Sequence, residues 1–467
     1  MKSLSSAPSS KRLIVIALGL AGVAASALTY NLINGGKGAA PGIPAAVATT
    51  SDILSALPAA SDKSSAGKAR AAAAAKVKIA PASAPAWVEL GDALAQELRD
   101  TANQTFYDHA EAAYREALRL APMKPEAMTG LAWVFGGRHQ FDESIAWANK
   151  ALAARADIPE AYGIIGDAEL ELGHYDDAEE HYQKMMDLRP DLSSWSRGAH
   201  LLWITGNKSK AMWLMERAIK AGAPYAENTA WCRARLAMML YNDGALLPAA
   251  QVLESALAAG TQNTHILLAA ARIATAREDM ESAKKHYSRI LENGNNHDAL
   301  AGLGDIAAAA GRKDEAEKFY LEVEALHTSH AATGVHDHMA MAKFFADHDR
   351  NPVEALRLAE QAKLTKNVQE ADTLAWVYLK NGDTASAVAA MKRALSRGTP
   401  DAELRYHAGM IAAAAGDRVS AQKHLQAALS FNSRFSLLQA PVAAKTLDSL
   451  GSQTTAAADK PATATAQ

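Results

Sequence analysis

On both sides of a break at Gly173, apolar residues recur three and four positions apart, the spacing of a helix with one buried face and not the alternation of a strand. Between Pro159 and Pro190 the chain reads PEAYGIIGDAELELGHYDDAEEHYQKMMDLRP. Tyr162, Ile165 and Gly166 share one face of a first helix, and Ala178, Tyr182 and Met185 share one face of a second. The pattern predicts an antiparallel pair of amphipathic helices, with small residues where the axes approach and large ones filling the space beside them.

The unit repeats. A small residue returns about every 34 residues, at Ala110, Ser144, Ala178, Ala211, Ala249, Ala283, Ala316, Ala355, Ala387 and Ala421. A fixed period of this size marks an array in which each unit buries its apolar face only against its neighbours. Such a chain grows as one continuous body without separate cores, so function is to be sought along a surface and not in a single pocket.

What surrounds the small residue resembles the tetratricopeptide repeat. The segment from Trp87 supplies Trp87, Leu90, Gly91, Ala110, Tyr114, Ala117 and Pro122, with several extra residues between its helices. The unit at 297 supplies Leu300, Leu303, Gly304, Gly311, Ala316, Tyr320 and Val323. The last two supply Leu374, Ala375, Tyr378, Gly382, Ala387 and Ala394, then Gly409, Gly416, Ala421, Leu425 and Ala428. The resemblance implies an all-α fold, an α-solenoid forming a right-handed superhelix of about ten antiparallel helix pairs. It covers roughly residues 84 to 432 within a solenoid domain at 85–451, whose end is capped by a helix over Val442 to Leu450. The stretches FFADHDRNPVEALRLAEQA, TLAWVYLKNGD, YHAGMIAAAAGD and RFSLLQAP are also similar to a broad group of bacterial tetratricopeptide proteins, a likeness that supplies no activity.

Two intervals are long, from Ala211 to Ala249 and from Ala316 to Ala355, which predicts extended connections near Gly222 and near His330. The unit at 337–362 is degenerate, with Ala342 or Lys343 at its crowded position.

Composition narrows the picture further. The formal net charge of -3 offers no basic surface for nucleic acid. At the N-terminus, Lys11 and Arg12 precede LIVIALGLAGVAASAL, and Ala25-Ser26-Ala27 has the small-x-small pattern of a cleavage site. Residues 1–33 thus predict an exported, periplasmic or extracytoplasmic protein. Cleavage of this segment, or its retention as an inner-membrane anchor over 13–33, are both open. Residues 34–84 are rich in Ala, Pro and Ser and predict an unstructured linker, as does the tail at 452–467. Cys232, the single cysteine, reads as a small core residue.

Phosphate-binding glycine loops, nucleophile elbows and HExxH are absent from the sequence, and the repeats consume nearly all the chain that would fold, so no catalytic residues and no cofactor are expected. The one cluster with metal-ligand chemistry is HTSHAATGVHDHMAMAKFFADHDR, with His327, His330, His336, His338 and His348 beside Asp337 and Asp349. Its spacing matches no tight metal motif, and Asp337 is placed to cap the helix that follows.

In the family this chain resembles, the first helices of successive units line a concave groove. Carrying its groove positions over names Glu126, Thr129 and Trp133; Glu160, Asp167 and Glu171; His200 and Trp203; Trp231, Met238 and Tyr241; Arg272; Asp298 and Asp305; Gln369, Asp372 and Trp376; and Tyr406 and Met410. The groove so defined is aromatic and acidic, a surface that favours extended protein or peptide partners bearing amines or basic side chains. The acidic-tail clamp of chaperone-binding relatives is not expected, because its positions carry Gly163 and Asp167, or Asp372 and Trp376. Three function classes follow: a scaffold or adaptor for proteins of the cell envelope, a module binding an envelope glycan, and a metal-dependent enzyme or sensor at 327–348.

Overall fold

The computed structural model describes residues 50–58, 64–101, 103–222, 227–292, 294–332 and 338–458. The expected signal or anchor at 1–33 lies outside them, as do His336 and Asp337. Two helices, α1 (Thr50–Ser55) and α2 (Ser65–Ile79), precede ten antiparallel pairs. These are α3 (Ala84–Thr101) with α4 (Thr105–Leu120), α5 (Pro125–Gly137) with α6 (Phe141–Ala154), and α7 (Pro159–Glu171) with α8 (Tyr175–Leu188). Next come α9 (Leu192–Ile204) with α10 (Lys208–Ala221), α11 (Glu227–Asn242) with α12 (Leu246–Ala258), and α13 (Thr264–Ala276) with α14 (Met280–Leu291). The array ends with α15 (His297–Ala309) and α16 (Lys313–Ala332), α17 (His338–Asp347) and α18 (Pro352–Ala359), α19 (Val368–Lys380) and α20 (Thr384–Ala394), and α21 (Ala402–Ala414) and α22 (Arg418–Phe431), then a closing helix, α23 (Gln439–Ala458).

Three pairs are held by one device. Tyr114, Tyr182 and Tyr320, each from a second helix, lie flat over Gly91, Gly166 and Gly304 of the first, so closely that a Cβ on these glycines would sit 2.5, 2.5 and 2.4 Å from the ring. The next residue in each first helix is an aspartate, and the tyrosine hydroxyl donates to Asp92, Asp167 and Asp305 at 2.8 Å in all three. The missing side chain admits the ring, and the carboxylate satisfies the one polar atom the ring carries into the interface. Second helices begin cleanly because Asp279, Asp383 and Asp417 accept the backbone N–H of Ser282, Ser386 and Ser420.

First helices of neighbouring pairs pack against one another, α3 on α5, α5 on α7, α7 on α9, α9 on α11, α11 on α13, α17 on α19 and α19 on α21. They therefore line the inside of the curve. The curve closes far enough for one end of the array to rest on its middle. Asn367 Nδ2 donates to the Glu171 carbonyl at 3.2 Å and Val368 N–H to the Tyr175 hydroxyl at 2.9 Å. Thr399 Oγ1 donates to the Ile204 carbonyl at 2.6 Å, Asn432 Nδ2 to the Tyr241 carbonyl at 3.0 Å, and the Tyr241 hydroxyl to the Phe435 carbonyl at 2.7 Å. These partners lie 191 to 196 residues apart. In each case the turn inside one pair meets the loop that leads into the repeat unit six places on, at α19, α21 and α23, so six pairs make one superhelical turn. Gly173 and Gly244 stand at these contacts with φ of 75° and 73°. A Cβ on them would sit 2.3 Å from the Lys366 carbonyl carbon and 2.7 Å from the Phe431 carbonyl oxygen, so both conformation and space demand glycine.

The structure corrects several expectations. Within the supposed linker, 65–79 is helical: Ser64 accepts the Gly67 N–H at 3.0 Å, Ala73 and Val77 are buried, and α2 packs on α3. Arg70 pairs with Glu97, both buried, and donates to the Pro58 carbonyl at 2.7 Å. Its alanines bury little area each, but the outer face of the first repeat would otherwise stand open, and small side chains let α2 lie close against it. The extra residues of the first unit lengthen α3, and near His330 the chain is helical, with α16 running to Ala332. Ala342 takes the crowded position, fully buried, and Lys343 turns inward. The closing helix begins earlier than expected and runs on to Ala458. Among the described residues no helix is long and apolar enough to cross a membrane.

Placing alanine at Gly304 drives a methyl into the Tyr320 ring. Gly304→Ala is expected to cost about 1–3 kcal/mol in urea unfolding, whereas Val353→Ala on the exposed outer face stays within about 0.5 kcal/mol. A second prediction concerns the closure. Burial, with the charges of Glu370 and Asp167 adding to it, pushes Glu171 up to about 8 from an ordinary 4.5. A carboxyl raised in the folded state loses stability as pH climbs from its unfolded to its folded value, here from 4.5 to about 8. Wild-type protein is expected to weaken across that interval, and Glu171→Gln to flatten the trend, as read by urea midpoints at the two ends.

Candidate partner-binding surface

The inner face is bonded from one repeat to the next. Arg197 on α9 holds Asp167 of α7 at 2.9 Å, and Arg272 on α13 reaches Asp298 of α15 at 3.1 Å. His348, just past α17, meets Asp305 at 2.8 Å through Nε2 while its Nδ1 donates to the Phe344 carbonyl at 2.7 Å. Both neighbours of His348 are acceptors, an arrangement that favours the protonated ring. Burial opposes that charge, but the hydrogen bond and charge of Asp305 prevail and raise its pKa. His407 on α21 bonds Asp372 of α19 at 3.0 Å and is raised for the same reasons. Glu126 and Glu160, nearer the N-terminus, are held by Lys124 and Arg155 at 3.0 and 3.1 Å and by Arg189 at 2.5 Å.

The groove residues named from sequence accordingly divide. Thr129, Trp133, His200, Trp203, Trp231, Tyr241, Trp376 and Tyr406 are buried in packing between helices. Trp376 stacks on His407 at 4.3 Å and donates to Asp347 at 2.9 Å, and Tyr406 lies 5.5 Å from both Trp376 and Phe435. Glu171 belongs to the closure between turns. Glu126, Glu160, Asp167, Asp298, Asp305 and Asp372 are half-buried and paired as above, so the acidity expected of the groove is largely neutralised within the protein. Met238 and Met410 are half-buried, and Arg272 and Gln369 are exposed. Four residues that the repeat register did not single out also lie on this face: Arg235, Lys343, Asp347 and Glu403. The spacing of Arg235 between Trp231 and Met238, one helical turn from each, is the signal that would have found it.

Among the described residues, the histidines at 327–348 assemble no ligand set for a metal. His327 lies beside His297 with ring centres 6.4 Å apart, His338 is buried at the start of α17, His348 is spent on Asp305, and the side chain of His330 and all of His336 fall outside the described residues. The one trio of metal-ligand type among the described residues is Asp347, Glu403 and His407. There the Lys343 ammonium already bridges Asp347 and Glu403 at 2.6 Å each. Burial works against the Glu403 charge, but Lys343 outweighs it and lowers the carboxyl's pKa. A cation is thus built into the position a metal would take. Cys232 is fully buried, and burial pushes its thiol up to about 12, away from the reactive thiolate.

Antiparallel helix pairs stacked into a superhelix with a bonded inner face define an α-solenoid of the kind that engages other proteins. A tetratricopeptide-repeat family matches residues 97–159, 129–193, 268–331 and 373–434, and the chain is a tetratricopeptide-repeat protein. Solved structures similar to it include PilF of Pseudomonas aeruginosa, at 20% identity over 48% of this chain and 92% of that one, with a TM-score of 0.35. PilW, described as a widely conserved type IV pilus biogenesis factor, is 17% identical over 43% of this chain and 92% of its own, with a TM-score of 0.38. A chain of the hetero-tetramer Cut9–Hcn1 of the APC/C is 11% identical over 82% of this chain and 92% of its own, with a TM-score of 0.36. No curated protein matches.

Lys343→Met leaves two carboxylates facing each other without their cation. It is expected to cost about 1–3 kcal/mol in denaturant unfolding, less than a fully buried pair because these side chains keep some solvent, and to raise the pH at which Glu403 takes its proton in a carboxyl NMR titration.

Proposed function

We propose that the protein is a non-catalytic scaffold that holds an extended segment of a partner protein along the inner face of its superhelix. The observation that carries this reading is the continuity of that face. First helices adjoin along most of the array, their large aromatics and most of their carboxylates are committed to packing and pairing, and Met238, Arg272 and Met410 keep surface toward the lumen. A rigid, pre-bonded wall loses little entropy when a segment lies against it, which favours binding of an extended chain. The same packing removes the support for a glycan platform, since Trp203, Trp231, Trp376 and Tyr406 present no free ring face. Export across a membrane, with residues 13–33 as signal or tether, belongs to this proposal and rests on the N-terminal sequence.

Peptides selected from a random display library on the purified protein test the binding mode. Their affinity is expected to fall tenfold or more in Met238→Arg and in Arg272→Glu, and to be unchanged in Val353→Arg on the outer face. Peptides indifferent to both inner-face changes would overturn the reading.

A further inference from the structure

We propose that the lumen carries an anion site, centred on the Arg235 guanidinium, which takes a carboxylate from an acidic partner segment. The inference rests on the reading of the inner face as a segment-binding surface and adds the chemistry of what is recognised.

The aspartates along this stretch of the face have partners. Asp167 has Arg197, Asp298 has Arg272, Asp305 has His348 and Asp372 has His407. Arg235 has none. Among the described residues no carboxylate lies within ion-pair distance of it, and its Nε is buried without a hydrogen-bond partner. Its Nη2 meets His200 Nδ1 at 2.8 Å, and the guanidinium stands 5.7 Å from the centre of the Trp231 ring.

An arginine only donates, so His200 Nδ1 must accept and the imidazole must be neutral. Burial first, and then the charge of Arg235, hold His200 well below its ordinary pKa. His265, on the next first helix, is lowered by burial and by the same charge, against a smaller opposing effect of Asp298. The counter-charge that acts on Arg235 is Asp401. That carboxylate accepts the backbone N–H groups of Glu403 and Leu404 at 2.9 and 3.0 Å and the amide of Asn242 at 3.3 Å, so it is committed elsewhere. Burial pushes Arg235 itself down to about 10, the mark of a guanidinium whose water has been taken away and not replaced by an anion.

A carboxylate arriving from the lumen supplies what is missing. It accepts from the remaining guanidinium N–H groups, a planar fork suited to that shape. By cancelling the charge it also lets His200 and His265 bind protons more readily. Met238, half-buried one helical turn from Arg235, gives an apolar contact for the stem of a glutamate or the backbone of a peptide. The sequence pattern pointed toward basic partners because it displayed the carboxylates without their mates. Once these are paired, the charge left over is positive.

The test uses the full chain and short Gly/Ser peptides carrying paired central Glu, Gln or Lys residues, titrated calorimetrically. The Glu peptide is expected to bind at least tenfold more tightly than the Gln peptide. Arg235→Met should erase that ratio and Arg235→Lys should keep part of it, with helicity checked by circular dichroism. In protein labelled at histidine nitrogen, the titration midpoints of His200 and His265 should rise when the Glu peptide saturates the protein, and also in Arg235→Met. Equal binding of Glu and Gln peptides, tighter binding of the Lys peptide, a ratio that survives Arg235→Met, or no binding by any of them overturns the anion site. Library-selected peptides that depend on Met238 and Arg272 but not on Arg235 would leave the segment-binding reading standing while this one fell.

Discussion

Two helices can lie close together only where the crossing carries a small side chain or none, and the solenoid is assembled from that allowance. Gly91, Gly166 and Gly304 admit the rings of Tyr114, Tyr182 and Tyr320, and the aspartate that follows each glycine receives the hydroxyl. The distance within a pair, set in this way, fixes the angle to the next pair, because the first helices must then pack on one another on one side of the array. Curvature accumulates from these angles until the turn at Gly173 meets Lys366 and the turn at Gly244 meets Phe431. The closure is thus a consequence of local packing repeated, and it converts an open spiral, in which each repeat touches only its neighbours, into a body with contacts six pairs apart.

Closure changes the meaning of the inner face. In an open array, aromatic and acidic residues on first helices would meet solvent and await a partner. Here Trp376 stacks on His407, Tyr241 reaches Phe435 across the closure, and carboxylates are met by basic groups of the neighbouring repeat. Each pair offsets much of its own desolvation, so the wall is nearly neutral and rigid. Against that background Arg235 stands without an ion pair, and its charge adds to burial in lowering the pKa of His200 and His265.

Much of this was legible from residue order. The helix pairs, their number and the small residues at the crossings all follow from periodicity, since a buried face must recur at the helical repeat wherever it is built. The α2 helix was not legible, because a run of alanine and lysine has the composition of a linker, and only the open outer face of the first repeat gives it something to cover. The groove residues were half legible. Register puts Asp167, Asp298 and Asp372 on first helices, but register says nothing of Arg197, Arg272 or His407 meeting them from the neighbouring repeat. The histidine-rich stretch misled for the opposite reason: residues crowded in sequence were distributed over α16, α17 and their flanks, and the trio that did assemble draws on residues as far apart as Asp347 and Glu403.

Sequence alone therefore determined the repeat, its register and the side of each helix that turns inward, because these depend on contacts within about one repeat length and the pattern of apolar residues records them directly. Which charges are cancelled, which aromatics are spent on packing, and that Arg235 has no carboxylate against it were decided only by the tertiary structure. Pairing between repeats and contact across a superhelical turn depend on the summed geometry of many helix crossings, and no local pattern of residues records that sum.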